Sequence, residues 1–415
     1  MQAEIIAIGD EILIGQTVDT NSTFIATHLN LNGIKVRQKR VIADEADAIT
    51  QALDHIHSDT RLVFMTGGLG PTKDDITKKT LARYFGGEMV FHPEIFENIK
   101  RLFASFNRVP SEANRGQAYL PSSCEPIVNE VGTASGMHFE RNGVHYFSTP
   151  GVPYETEHLV KDKIMPWVLE KLQKGKVVHR TILTQGVPES ELAERIKDWE
   201  DALPMSVRLA YLPSPGIVRL RLSSYDDDPD AARKLIDHQI EALREILGEI
   251  VFGREAQTLE EVVGLTLKEG GYTLSMAESC TGGYIAHLIT SVAGSSAYFQ
   301  GGVVSYANYI KEQQLGVSAI SLEKHGAVSK EVVEQMALGV KERFQTDFSI
   351  ATSGVAGPGG GSDEKPVGTI WIAIASPEGV KSKQFRFGNH RKRNIHKTAL
   401  MALDLLRREI QKFQN

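Results

Sequence analysis

The sequence predicts an α/β protein of more than one domain, and three observations support this prediction. Short apolar runs alternate with helix-like stretches in residues 1–172, and the same alternation resumes in residues 254–415. Such alternation is typical of sheets that are covered by helices. The chain has 415 residues, which exceeds one ordinary core because domains average roughly 150 residues. Residues 173–253 show a different order of strand-like and helix-like stretches, which predicts a third, smaller domain.

The first domain is expected to contain a parallel sheet with helices on both faces. Residues 3–9, 35–42 and 61–68 are strand-like runs, and the last of them leads into a glycine loop. Residues 20–33 have apolar side chains at helical spacing and end in glycine. Strands that alternate with helices in this way favour βαβ units, which place consecutive strands parallel.

The other two domains are predicted from the same kind of pattern. Residues 173–253 show the order β-α-β-β-α without a cluster of catalytic residue types. We expect a small α+β module of KH-like type that links the domains or joins two chains in a homodimer. In residues 254–415 a helix ends at Gly270 and Gly271, and strands and helices then alternate to the last helix. This order predicts a second α/β domain.

Composition indicates a globular protein from a reducing compartment. Apolar residues make up 41% of the chain and charged residues 24%, which are ordinary values for folded domains. The net charge of −6 argues against direct binding of nucleic acid, which usually needs a strongly basic face. The two cysteines, Cys124 and Cys280, suggest no disulfide framework. With no recognisable signal peptide or membrane span, we expect a cytoplasmic protein without a membrane partner.

A glycine loop in the first domain is a candidate phosphate site. The loop TGGLGPTKDD, residues 66–75, follows an apolar strand and precedes a helix, the place where open α/β sheets bind ligands. It lacks the ending of a Walker A loop. Its glycines would let backbone N–H groups approach a phosphate closely; they are Gly67, Gly68 and Gly70.

Carboxylates at several strand ends extend this candidate site. Asp75 is the last residue of the loop, while Asp10, Asp44 and Glu155 follow three other strands. Carboxylates gathered at one sheet edge beside a phosphate loop suggest metal-assisted pyrophosphate chemistry. The alternative is that each aspartate only caps a helix or forms a turn.

The C-terminal domain offers a candidate nucleophile with a candidate base. In AESCTGG, residues 277–283, Ser279 stands where a strand turns into a helix, and the N–H groups of Thr281, Gly282 and Gly283 could stabilise an oxyanion. In SYANYIK, residues 305–311, a desolvated Lys311 could act as a base. The alternatives to a catalytic role are that Lys311 is an ordinary surface lysine and that Tyr306 and Tyr309 pack in the core.

Two further stretches of this domain fit a nucleotide. The loop SGVAGPGGG, residues 353–361, follows a strand and suits a phosphate or ribose. The basic run at residues 388–397 contains Arg391, which could pair with a mononucleotide phosphate. A basic run can equally be a solvated face.

The motifs of the first domain resemble a known fold. GDEILIG, DTNS, TGGLGPTKDD and TPGVPYE, within about residues 1–170, resemble the molybdopterin-binding fold of the MoaB/MogA type, in the version found in CinA proteins. The resemblance implies a Rossmann-like three-layer sandwich and an ADP-ribose pyrophosphatase that uses a divalent metal (Mg, Mn or Co). Asp44 and Asp75 match the key aspartates of that fold, and we place Asn21 and Thr72 with the substrate-binding residues.

The motifs of the last domain resemble the PncC/CinA C-terminal domain. They are AESCTGG, GGVVSYANYIK, HGAVS, SGVAGPGGGSDEKPVGT and the basic start of the last helix, within about residues 256–415. That family hydrolyses the carboxamide of nicotinamide mononucleotide to nicotinate mononucleotide and ammonia without a cofactor. By motif, Ser279 matches the nucleophile, and Tyr306 and Lys311 match its activating partners. Ser353, its neighbour Gly354, and Arg391 match substrate-contacting positions.

The whole chain therefore resembles full-length CinA proteins, which implies two hydrolases of pyridine nucleotide salvage. We expect Lys311 to accept the Ser279 proton through Tyr306, with Cys280 as the rival nucleophile. Two other functions remain open: a molybdopterin-binding or molybdenum-transfer protein, and a non-enzymatic partner of the competence machinery. An arginine usual in molybdopterin enzymes is replaced by Lys73-Asp74 before Asp75, which argues against the first of these.

Overall fold

The computed structural model of the chain describes residues 1–70, 76–172, 178–224 and 228–414. The predicted site residues Thr72 and Asp75 lie outside the described residues. Within those ranges the chain forms two compact units. Met1–His179 makes up most of the first, and Arg180–Ser224 together with Arg233–Asn415 makes up the second. None of the described helices combines the length and the apolar character that a membrane span requires.

The first unit alternates strands with helices, as the sequence predicts. Its strands are β1 (Gln2–Ile8), β2 (Lys35–Ile42), β3 (Thr60–Thr66), β4 (Met89–Phe91), β5 (Tyr119–Pro121), β6 (Glu125–Ile127), β7 (Gly136–Arg141) and β8 (Val144–Thr149). Its helices are α1 (Asp10–Leu13), α2 (Asn21–Leu31), α3 (Ala46–Asp54), α4 (Thr77–Phe85), α5 (Pro93–Ser105), α6 (Glu112–Gly116), α7 (Pro153–His158) and α8 (Met165–Lys171). A π-helical segment, Leu159–Ile164, joins α7 to α8.

The main sheet of this unit is mixed rather than wholly parallel. Its strand order over the described residues is β2-β1-β3-β8-β7-β6. The first four strands run parallel, so their carboxyl ends meet at one edge. The predicted parallel arrangement holds for these four strands, whereas β7 pairs antiparallel with both β8 and β6. The reason is the turn Asn142-Gly143, whose φ angles of 55° and 73° form the tight hairpin that such a dipeptide favours.

Apolar side chains on both faces of this sheet build a three-layer domain. Neighbouring residues of a strand point to opposite faces. Ile5 accordingly packs with Leu29 of α2 on one side, whereas Ile6 packs with Leu81 of α4 on the other. Because strands β1 and β3 are buried on both faces, they consist of nearly continuous apolar runs.

The middle module has the predicted order of elements and one additional strand. Its elements are β9 (Val178–Gln185), α9 (Glu189–Asp201), β10 (Val207–Ser214), β11 (Ile217–Ser224), α10 (Pro229–Leu247) and β12 (Val251–Arg254). The sheet order over the described residues is β10-β11-β9-β12. Strand β12 was not predicted, because it is short, contains Gly253 and gains its partner only by pairing antiparallel with β9.

The C-terminal domain contains a second mixed sheet. Its strands are β13 (Leu274–Glu278), β14 (Phe299–Val304), β15 (Phe348–Gly354), β16 (Thr369–Ser376) and β17 (Gly379–Arg386). Its helices are α11 (Leu259–Gly270), α12 (Tyr284–Thr290), α13 (Asn308–Leu315), α14 (Ala319–His325), α15 (Lys330–Phe344) and α16 (Arg391–Gln411). In the order β14-β13-β15-β16-β17, the first three strands are parallel and the last two join antiparallel.

A buried arginine ties the middle module to the C-terminal domain within the second unit. Arg407 of α16 is 1% exposed and donates a hydrogen bond of 2.7 Å to the carbonyl oxygen of Glu249. It also pairs with Asp404 at 2.7 Å. A buried guanidinium needs such partners because desolvation of a charge is costly.

Helix α13 is held against α15 by a glycine contact. A Cβ atom at Gly339 of α15 would lie 1.8 Å from the carbonyl oxygen of Leu315, the last residue of α13. Leu315 is buried in the same apolar cluster as Met336 and Val340 of α15. The absence of a side chain at Gly339 therefore sets the position of α13, which contains Lys311.

We expect Gly339→Ala to lower the free energy of unfolding by about 1–3 kcal/mol, the usual cost of overpacking, although alanine itself favours a helix by about 1 kcal/mol. Gly388→Ala is the control, because nothing lies within 4 Å of a Cβ there. Urea unfolding of both variants measures the difference. Equal stability of the two would show that α13 can move away from α15 at no cost.

Candidate active site

The nucleophile predicted in the C-terminal domain lies at the carboxyl end of β13. Strand β13 ends at Glu278, and Ser279 begins the turn that leads into α12. The Ser279 N–H donates a hydrogen bond of 3.0 Å to the carbonyl oxygen of Thr352 on the neighbouring strand β15. This bond fixes the backbone of Ser279 at the sheet edge, while the residue as a whole is half-buried.

The amine of Lys311 reaches Ser279 from helix α13. The Lys311 Nζ atom lies 3.3 Å from Ser279 Oγ. It also donates to the carbonyl oxygens of Ser305 at 2.6 Å and Tyr306 at 3.3 Å. Lys311 is only 1% exposed, so the alternative of an ordinary surface lysine does not apply.

Burial lowers the pKa of Lys311 below its ordinary value of 10.5, because the charged form loses its hydration. A neutral amine has two N–H donors and one lone pair. The two carbonyl oxygens accept from the donors, and the lone pair can then accept the hydroxyl proton of Ser279. The geometry therefore suits direct proton transfer from Ser279 Oγ to Lys311 Nζ.

The side chain of Tyr306 does not have the position expected of a proton relay between Ser279 and Lys311. Its backbone carbonyl contacts Lys311, but its side chain is 61% exposed. The phenolic oxygen accepts a hydrogen bond of 3.1 Å from the guanidinium of Arg391. Because Lys311 and Ser279 are already in contact, a relay through the phenol is unnecessary. Tyr306 instead links Lys311 to Arg391.

Cys280, the rival nucleophile, is poorly suited to attack. It is 6% exposed and belongs to the apolar core of the domain. Burial raises the pKa of its thiol to about 12, so the thiol stays protonated near neutral pH. Since the thiolate is the reactive form, the structure favours Ser279.

Two of the three N–H groups predicted to stabilise an oxyanion already donate hydrogen bonds within the protein. The Gly283 N–H donates to the Glu278 carboxylate at 3.0 Å, and the Gly282 N–H donates to the Ser279 carbonyl at 3.2 Å. Of these three N–H groups in the described part of the chain, that of Thr281 remains. An oxyanion would thus be met by the Thr281 N–H rather than by all three.

Glu278 is a structural residue of this site that was not predicted from the sequence. It is 2% exposed, and its carboxylate also accepts from the N–H groups of Ile285 and Ala286 at 3.1 and 2.9 Å. An acidic side chain suits the N-terminus of a helix. The sequence does show an acidic residue shortly before the predicted helix. It does not show that the side chain of this residue turns toward the first N–H groups of that helix.

The residues predicted to contact the substrate divide into buried and exposed ones. Ser353 is 1% exposed, and its hydroxyl donates to the carbonyl oxygen of Ala327 at 2.6 Å. At Gly354 a Cβ would lie 2.3 Å from Ile370 Cδ1, so this glycine permits close packing of β15 on β16. Arg391 is exposed and donates to the carbonyl oxygen of Gly357 at 2.9 Å. Of the three, only Arg391 is exposed and carries a charge.

Residues 66–70, the described part of the glycine loop, lie between the ends of β1, β3 and β8. Gly67 has a φ of 112°, and a Cβ there would lie 2.0 Å from the carbonyl oxygen of Ile8. The amide of Asn21 donates to Thr66 Oγ1 at 2.9 Å and to the carbonyl oxygen of Gly151 at 2.8 Å. Asn21 therefore ties two strand ends together, and Gly70 ends the described part of the loop.

Two of the predicted metal ligands meet at this edge. The Asp44 N–H donates to Asp10 Oδ1 at 3.4 Å, and a Cβ at Gly68 would lie 3.1 Å from Asp44 Oδ1. Glu155 instead accepts from the Asn129 amide at 2.6 Å, and burial raises its pKa. The described residues contain no group of three or more His, Cys, Asp or Glu able to hold a metal ion, and Asp75 lies outside them.

Three family profiles match consecutive parts of the chain. "Probable molybdopterin binding domain" matches residues 4–170, and "Damage-inducible protein CinA KH domain" matches residues 179–253. "CinA C-terminal domain" matches residues 256–410. The fold class predicted from the sequence, with its MoaB-like, KH-like and CinA C-terminal parts, is thereby confirmed.

Full-length relatives carry the family name. The CinA-like protein of Cytophaga hutchinsonii is 47% identical over 99% of this chain and 98% of its own length. The CinA-like protein of Flavobacterium psychrophilum is 45% identical over 99% of both chains. A crystal structure of the competence/damage inducible protein CihA from Agrobacterium tumefaciens is 41% identical, covers 36% of this chain and 91% of that one, and has a TM-score of 0.35. The chain belongs to the CinA-like protein family.

Proposed function

We propose that the C-terminal domain hydrolyses the carboxamide of nicotinamide mononucleotide to nicotinate mononucleotide and ammonia. The observation that supports this most directly is the buried Lys311 amine, 3.3 Å from the hydroxyl of Ser279. A hydroxyl beside a neutral amine is the arrangement of a Ser–Lys acyl-transfer enzyme. The substrate itself is taken from the resemblance of the domain's motifs to the PncC/CinA family.

The first half of the reaction forms an acyl-enzyme. Ser279 Oγ attacks the carboxamide carbon while its proton passes to Lys311 Nζ, and the carbonyl oxygen becomes an oxyanion near the Thr281 N–H. Lys311 then gives this proton to the amide nitrogen. The carbon–nitrogen bond breaks, and ammonia leaves.

The second half regenerates the enzyme. A water molecule attacks the ester carbon and gives its proton to Lys311, which returns it to Ser279 Oγ as the ester bond breaks. In this scheme Arg391 binds the 5′-phosphate, since a guanidinium is the preferred partner of a phosphate. Its bond to the Tyr306 hydroxyl links substrate binding to the loop that contacts Lys311.

We expect Ser279→Ala to reduce ammonia release from nicotinamide mononucleotide by at least about 10³-fold, because the nucleophile is lost. Cys280→Ala is the matched control, and we expect it to retain turnover because the thiol is buried and protonated. A coupled ammonia assay without added metal measures both variants. Loss of turnover in Cys280→Ala with activity in Ser279→Ala would reverse the assignment, and no turnover in the wild type would refute the proposal.

The pH dependence of kcat/KM should follow the deprotonation of Lys311. The reactive form is the neutral amine, whose fraction rises with pH, and burial moves the pKa of Lys311 down from 10.5. We expect kcat/KM to rise with pH from neutrality and to level off below pH 10.5, the ordinary pKa of a lysine amine. Lys311→Arg, which cannot lose its proton, should be about 10²–10⁴-fold slower at every pH. A kcat/KM that falls over this range would exclude the lysine as the base.

We propose a second activity for the N-terminal domain, the metal-dependent cleavage of the pyrophosphate of ADP-ribose. The observation that favours it is the pair Asp10 and Asp44 beside the glycine loop. These two carboxylates would hold a divalent ion, with Asp75 as the third ligand. Such an ion would neutralise charge on the pyrophosphate, while Gly67 and Gly68 let the loop backbone pack closely against Ile8 and Thr77 at the sheet edge.

Asp44→Asn should weaken Mn²⁺ binding, measured by calorimetry, and slow Mn²⁺-dependent release of AMP from ADP-ribose by about 10²-fold or more. Asp47→Asn, an exposed position at the start of the same α3 segment, is the control and should change neither. An equal loss of Mn²⁺ affinity in Glu155→Gln would place that carboxylate in the metal set. Tight molybdopterin binding without ADP-ribose cleavage would instead support the molybdopterin alternative.

A further inference from the structure

The first unit contains a groove of about 530 Å³, a volume within the range of small-molecule sites. The end of α5, the segment 131–133 and the start of α7 form its walls. All three segments belong to the same compact unit. The groove is thus a feature of the N-terminal domain itself.

This groove adjoins the glycine loop at the carboxyl edge of the sheet. A Cβ atom at Gly151 would lie 3.6 Å from Gly67 Cα, and the Gly151 carbonyl oxygen accepts from the Asn21 amide at 2.8 Å. Tyr154 lines the groove. It follows Gly151 by three residues, so their Cα atoms are within about 11 Å of each other. A ligand whose phosphate is held at the loop can therefore extend into the groove.

One buried amide joins the three walls. Asn129 is fully buried, and its backbone carbonyl oxygen accepts from Asn98 of α5 at 2.7 Å. Its side-chain amide donates to the carbonyl oxygen of Ala134 at 2.9 Å and to the Glu155 carboxylate of α7 at 2.6 Å. A Cβ atom at Gly132 would lie 2.1 Å from Glu155 Cδ, so the glycine permits this close packing. The walls are held in place without a ligand, which lowers the cost of binding one.

Two exposed aromatic rings line the groove from opposite segments of the chain. Phe106, directly after α5, is 73% exposed, and Tyr154 of α7 is 59% exposed. The turn that contains Phe106 has a fixed shape, because Asn107 has a φ of 54° and the Arg108 N–H donates to the carbonyl oxygen of Phe103 at 2.9 Å. Aromatic side chains that are held in place and open to solvent are stacking platforms for nucleic-acid bases.

The charges in the lining suit a neutral ring better than a free anion. Arg108 and Glu155 both line the groove and have opposite charges. Glu155 is 7% exposed and is held by Asn129. A purine base is neutral near pH 7, so neither charge opposes it. The exposed guanidinium of Arg108 can also lie over the face of such a ring.

The two ends of ADP-ribose differ in the surface that they need. One end is an aromatic base, and the other is a sugar whose hydroxyl groups need hydrogen-bond partners that an apolar wall lacks. We propose that the groove binds the adenine base by stacking on Phe106 and Tyr154, and so determines which end of the substrate lies beside α7. This inference rests on the proposed pyrophosphatase activity, and neither ring belongs to the phosphate or metal residues of that site.

AMP is the probe that contains the base, and ribose 5-phosphate is the matched probe that lacks it. Both are titrated into the full chain with Mn²⁺ by calorimetry. Phe106→Ala and Tyr154→Ala should each weaken AMP binding about tenfold or more, because one stacking partner is lost, and should leave ribose 5-phosphate binding unchanged. Tyr154→Phe retains the ring and should bind AMP like the wild type. Val109→Ala is the control, since this residue is 88% exposed near Phe106 and lies outside the groove lining.

Equal AMP affinity in the wild type and in both alanine variants would overturn the proposal, as would the absence of saturable AMP binding to the wild type. A parallel loss of affinity for ribose 5-phosphate would overturn it too, because that loss cannot come from the base. Cleavage of ADP-ribose is assayed separately. Its absence in the wild type would refute the pyrophosphatase activity, whereas base binding is measured on AMP, which needs no turnover.

Discussion

Removal of the Lys311 amine from water is the constraint on which the C-terminal domain depends. Burial of a charge is expensive, so the pKa of Lys311 is lowered. The amine contacts two carbonyl oxygens and the Ser279 hydroxyl. That environment requires α13 to pack closely against α15, which the glycine at position 339 permits. The turn after β13 must also hold its shape, and the Glu278 carboxylate supplies this by accepting three backbone N–H groups.

Both units place a loop at the carboxyl edge of a parallel set of strands but secure it by different chemistry. In the first unit the amide of Asn21 donates to two strand ends, and glycines allow close approach of the loop to the end of β1. In the C-terminal domain a carboxylate accepts from the following helix. An amide leaves the edge neutral, which suits a site where two aspartates already lie together. A carboxylate uses up N–H donors and so restricts where an oxyanion can be stabilised.

The sequence was sufficient where an element's own residues decide its structure. Strands β1 and β2, predicted at residues 3–9 and 35–42, are found at Gln2–Ile8 and Lys35–Ile42. It was insufficient where the partner is distant in the chain or the turn is short. The antiparallel β7 depends on an Asn-Gly turn that was not used in the prediction, and β12 exists only because β9 lies beside it. At the site, the sequence motifs were enough to select Ser279 and Lys311 as candidates. The direction of the Tyr306 phenol and the hydrogen bond from the Gly283 N–H to Glu278 depend on loops that the fold brings together.

Helix α16 is anchored at both of its ends. At its start Arg391 binds the carbonyl oxygen of Gly357 and the Tyr306 hydroxyl, and near its end Arg407 binds the carbonyl oxygen of Glu249. Each residue added to an α-helix rotates the remainder of the helix by about 100°. An insertion or deletion of one residue between the two arginines would turn one of them away from its partners. This part of the chain should therefore not tolerate changes of length during evolution.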